Sequence, residues 1–137
     1  MKKYLVFNTS GNYKTIDGQS YDSTYEMISQ NVEGSIEHAY SSEKFAQKGI
    51  DLWINDEGKI NNLQPTLAIK CDGQLYDILC GNIVFSRFNE LGETIPLEEN
   101  DTQFIINELT KEMALIPFSD NTGDTLYRVI PVLDISE

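Results

Sequence analysis

Three short strings reverse this chain at close intervals: Asn55-Asp56-Glu57-Gly58, Asp72-Gly73 and Asn89-Glu90-Leu91-Gly92. In the first and third, an Asn opens a type I turn. The glycine three residues later then takes the left-handed region that closes a hairpin. Asp72-Gly73 suits a two-residue type I′ turn between Thr66–Cys71 and Gln74–Leu79. Asn89–Gly92 separates Asn82–Phe88 from Glu93–Leu97. Parallel neighbours would need crossovers of a dozen or more residues, so links this short demand antiparallel pairing.

The remaining elements follow from local pattern. Tyr4–Thr9 and Tyr13–Ile16 read as strands around the turn Ser10-Gly11-Asn12. Ser23 and Glu26 form a capping box, and Tyr21, Tyr25, Ile28 and Val32 make one face of a helix over 24–31 that Gly34 ends. Ser35–Tyr40 reads as a strand and the polar stretch Ser41–Gly49 as an exposed loop. Ile50–Asn55 alternates, with Ile50, Leu52 and Ile54 on one side and Trp53 on the other. Asn100 or Asp101 caps a second helix over 101–113. Thr125–Leu133 is a last strand, placed at an edge by Pro131, as Pro96 places the segment before it. The expected fold is α+β: a single domain over 1–137 holding a curved antiparallel sheet, or partly open β-barrel, with two short helices. The helix and strand of 101–137 read as a C-terminal addition.

At 137 residues such a domain buries roughly two thirds of its unfolded surface and needs no metal or disulfide staple. Its net charge is −12, and its ten basic residues are scattered with only Lys2 and Lys3 adjacent. That excludes an extended nucleic-acid track. It leaves open an acidic mimic of DNA that inhibits a DNA-handling enzyme. No apolar run reaches the ~20 residues of a membrane span, and the apolar start Tyr4–Phe7 is too short for a signal-peptide core. The expectation is a cytoplasmic chain without a membrane partner. Cys71 and Cys80 lack metal-site spacing, and with one histidine, His38, they read as free core thiols.

Catalytic signatures are missing: no G-x-S-x-G, no P-loop, no H-E-x-x-H. No catalytic residue, cofactor or metal is assigned. A hydrolase using carboxylates and a metal would have to draw on Asp56-Glu57, Glu98-Glu99 or Asp120/Asp124. Asp120-x-Thr122-x-Asp124 alternates oxygen ligands as calcium loops do, but lacks the terminal Glu. The reading is therefore a binding module. Its expected contact surface is Trp53 with the turn residues Asn55, Asp56, Glu57 and Lys59. A pocket sequestering a small nucleotide would instead need Lys59, Arg87 or Arg128 beside Trp53 or a tyrosine. The partner is a host protein or small ligand, and a homo-oligomer is possible.

Four strings in order carry a resemblance: Val32-Glu33-Gly34-Ser35-Ile36-Glu37, Asn55-Asp56-Glu57-Gly58-Lys59, Leu63-Gln64-Pro65 and Asp77-Ile78-Leu79-Cys80-Gly81-Asn82. Over roughly residues 20–100 the chain resembles the domain-of-unknown-function family 3846, small proteins of bacteriophages and conjugative elements. It departs from the family pattern at Thr66, where members carry Asn, and at Glu33, where they are richer in glycine. The resemblance implies an accessory protein of a phage or mobile element inside a bacterial cell, countering or modulating a host process such as defence. It implies no activity.

Overall fold

The computed structural model describes residues 1–40, 42–59 and 61–136. In chain order its elements are β1 (Lys3–Phe7), β2 (Tyr13–Asp17), α1 (Thr24–Val32), β3 (Ile36–His38), α2 (Glu43–Lys48), β4 (Ile50–Asn55), β5 (Pro65–Cys71), β6 (Gln74–Cys80), β7 (Ile83–Phe88), β8 (Thr94–Ile95), α3 (Asp101–Leu109), β9 (Met113–Ser119) and β10 (Thr125–Asp134). One sheet runs β2-β1-β7-β4-β3 with β8 on β7, and all its pairs are antiparallel. A second, curled sheet runs β6-β5-β10-β9. The fold is α+β and mostly antiparallel, as the reversals require.

Strand alternation builds the layers. Leu5, Phe7, Leu52, Ile83 and Phe85 turn inward from the first sheet and meet Leu67, Ile69, Leu79 and Leu133 of the second. The alternate residues Tyr4, Val6 and Val84 turn outward and are covered by Met27, Ile28 and Val32 of α1. Both faces of the first sheet are thus buried.

Three turns share one chemistry. Asn8, Asn89 and Asp120 each accept, at the carbonyl oxygen, the N–H of Gly11, Gly92 and Gly123, which have φ of +86°, +78° and +85°. Each of the three side chains also accepts a backbone N–H two residues on and another four residues on. Asp72 and Gly73 have φ of +51° and +79°, the doubly left-handed pattern of a type I′ turn.

Asn55–Gly58 is the exception. Glu57 N–H donates to Asn55 Oδ1 at 2.8 Å, so the turn opens as expected, but φ of Gly58 is not positive and no hairpin follows. The chain instead leaves β4 at Asn55 and enters the second sheet at Pro65. Gly58 is needed for closeness: a Cβ there would lie 2.6 Å from the Cys80 carbonyl oxygen. The same holds after α1, where Glu33, not Gly34, takes the left-handed cap at φ +66°.

Other expectations are corrected. The segment taken as an exposed loop contains α2, capped by Ser42 and anchored by the fully buried Phe45. Two adjacent apolar residues, Phe45 and Ala46, in six show no helical period. The helix expected over 101–113 stops at Leu109, where Thr110 Oγ1 bonds back to the Ile106 carbonyl at 2.8 Å. Residue 113 then starts β9. The strand expected at an edge, β10, lies inside its sheet. It pairs with β9 through Thr125–Pro131, and in parallel with β5 only from Val132 to Asp134. Pro131 sits where the partners change, so its missing N–H breaks no ladder.

Candidate functional site

The four strings behind the resemblance come together at the passages between the sheets. Asn55 is buried, and its amide nitrogen donates to the Val32 and Glu33 carbonyls, both at 3.2 Å, closing the end of α1. The return passage through Gly81 lies alongside: Gly81 N–H donates to the Gln64 carbonyl at 2.9 Å, and Thr66 Oγ1 to the Gly81 carbonyl at 2.6 Å. Asn82 Nδ2 then reaches the Asn31 carbonyl at 2.9 Å. These residues hold the two sheets and α1 together, which is a structural role.

Beside this junction a cleft of about 450 Å³ opens between β3–β4 and β6. It is lined at one end by Asp56, Glu57, Gly58 and Lys59, and along its walls by Glu37, His38, Tyr40, Asp77 and Cys80. Lys59 Nζ forms an ion pair with Asp77. Burial pushes the Asp77 carboxyl up. The Lys59 ammonium, the Ile78 N–H and the Tyr40 hydroxyl outweigh it and hold the group below the usual carboxylate value. Tyr40 stands edge-on to Tyr76, centroids 5.6 Å apart. Among the described residues no ion pair engages Glu37, Asp56 or Glu57. One lysine therefore faces four carboxylates and is already matched by one of them.

The reactive side chains at the rim are committed elsewhere. Burial pushes the Cys80 thiol up, so at neutral pH it is the protonated form, a poor nucleophile. His38 Nε2 donates to Asp51 Oδ1 at 2.6 Å, and its ring lies 5.0 Å from that of Trp53. Among the described residues no group of three or more His, Cys, Asp or Glu is arranged to hold a metal ion. Asp120 and Thr122 serve their own turn.

Of the residues proposed from sequence, Asn55, Asp56, Glu57 and Lys59 all line this cleft, Asn55 as a buried residue at its base. Trp53 is half-buried on the opposite, α1 side of its sheet, where it, Tyr21 and Ile36 each pack against the cluster around Met27 and Val84. Its Nε1 donates to Ser86 Oγ at 2.9 Å. The three cations of the nucleotide reading lie apart. Arg87 braces α3, with Nη1 2.9 Å from both carboxylate oxygens of the buried Asp101. Arg128 bonds Gln64 and lines a separate cavity of about 180 Å³. Glu37, Tyr40 and Asp77 join the site from distant positions. The one sequence signal for them is that Glu37 and Asp77 stand in the same strings as Gly34 and Gly81.

No helix among the described residues is long and apolar enough to cross a membrane. No curated protein and no solved structure matches the chain. One family model spans residues 2–113, a wider reach than the 20–100 carried by the motifs; it takes in β1, β2 and α3 and leaves out all but the first residue of β9. That model is described as Domain of unknown function (DUF3846), and the chain belongs to this family.

Proposed function

We propose that this protein is a non-enzymatic binding module of a phage or mobile element that modulates a host process by holding a basic protein segment in the cleft at Asp56–Lys59. The observation that supports it is the imbalance of charge in a concave site: Glu37, Asp56 and Glu57 stand unmatched around a Lys59 already paired with Asp77. A Lys or Arg side chain entering there meets carboxylates and the Tyr40 ring, both attractive to a cation. An anionic nucleotide would meet the same carboxylates as repulsion, so the cleft argues against the nucleotide reading. The family resemblance supplies the phage context, and the protonated Cys80 fits a site that binds without bond-making.

The test is calorimetric titration of short Arg-containing and Glu-containing peptides into the protein. The Arg peptide binds with micromolar affinity. Glu57→Gln weakens it about tenfold, the effect of about 1.4 kcal/mol from one charge-assisted contact. Glu90→Gln, on the distant β7–β8 turn, leaves it unchanged. Equal losses for both variants would reduce the binding to unspecific attraction by net charge and end the proposal.

A further inference from the structure

We propose that the bare face of the β9–β10 ribbon is the contact between two copies of this chain. The register pairs Met113 with Pro131, Leu115 with Val129 and Pro117 with Tyr127, so these six side chains share one face. None carries a charge. Met113, Leu115, Tyr127 and Val129 are 48%, 62%, 65% and 59% exposed. The alternate residues Ala114, Ile116 and Ile130 are covered by Ala68 and Ile78 of the second sheet. A ribbon apolar on both faces and covered on one leaves roughly 500 Å² uncovered, as large as the biggest patch on an ordinary monomer. With its rim it approaches the about 800 Å² per partner of a standard interface.

Charge selects the occupant. The molecule carries −12, so two copies repel wherever their carboxylates meet. Met113–Ser119 contains no ionisable side chain, so here a copy can approach at no such cost. The contact is face to face rather than an extension of the sheet. Val132 N–H donates to the Glu112 carbonyl at 2.9 Å, which makes the alternate pairs 113/131, 115/129 and 117/127 the non-hydrogen-bonded ones. Position 117 therefore turns its nitrogen to the free edge of β9, where proline removes one of the donors an added strand would use.

Sedimentation velocity on the full chain tests this across about 1–200 µM, where interfaces of this size begin to hold. The expected result is a mass rising toward twice 15.5 kDa. Leu115→Glu and Val129→Lys, both at exposed positions, should each raise the dissociation constant at least about 100-fold through repulsion across the two-fold axis. Their melting temperatures should match the wild type, and Glu57→Gln in the cleft should leave the mass unchanged. A wild type that stays monomeric overturns the proposal, as does a dimer that survives both variants. A monomer that floats with phosphatidylcholine vesicles would name a bilayer as the occupant instead, and overturns it too.

Discussion

The amide nitrogen of Asn55 lies 2.6 Å from where a Cβ on residue 34 would stand. Asn55 belongs to the end of β4 and Gly34 to the segment leaving α1, so the pair sets how closely helix and sheet approach. Asn55→Ala leaves the carbonyls of Val32 and Glu33 without their donor and should cost about 2–4 kcal/mol in urea unfolding. Gly34→Ala forces the same contact apart and should cost about 1–3 kcal/mol. Losses below 0.5 kcal/mol for both, about the noise of a surface change, would mean that the junction is not a support.

The Arg87–Asp101 pair joins β7 to the first turn of α3, and the Asp101 side chain is only 3% exposed. Exposed pairs contribute about 0–1 kcal/mol, but stripping one partner from a buried pair costs about 3–5. Asp101→Ala should show the larger figure and Lys70→Ala, which breaks the exposed pair with Glu112, the smaller. Equal effects would place Arg87 in solvent.

Tyr13 stacks on Phe7 at 4.5 Å, and its hydroxyl is buried without a hydrogen-bond partner among the described residues. Burial pushes its pKa up to about 12 from 10.0. The unfolded chain therefore releases this proton first, so the stability it holds is complete below pH 10 and drains away between 10 and 12. Tyr13→Phe should be neutral to about 1 kcal/mol stabilising at pH 7 and should lose less stability above pH 10. Unfolding midpoints that fall in parallel for both proteins would contradict this.

Asp77 behaves with the opposite sign. Its folded value is held below 3.8, so its contribution is present above pH 3.8 and lost as pH falls through the lowered value. Wild type and Asp77→Asn should differ in melting temperature at pH 6 and converge below pH 3.8. A gap that persists in acid would show that Asp77 acts by shape rather than by charge.

Much of this was legible locally. The type I′ turn at Asp72-Gly73 and the cap of α1 by Ser23 rest on a few adjacent residues, and each stands as its string implies. Asp56, Glu57 and Lys59 were legible as a polar turn beside a strand. Their cleft was not, because its other wall is Asp77 and Tyr40, brought opposite only by the packing of one sheet on the other. Trp53 misled for a related reason: strand alternation shows that it faces away from Leu52, but not that α1 covers that side.

The sequence alone determined the antiparallel habit, the hairpins and the alternation that gives each strand an inner face, because these depend on backbone angles and spacings within a few residues. Tertiary structure decided the rest. Asn55–Gly58 and Asn89–Gly92 carry the same turn pattern, yet one becomes a passage between sheets and the other a hairpin. The difference is the neighbour: Cys80 and the end of α1 crowd the first, and open solvent surrounds the second.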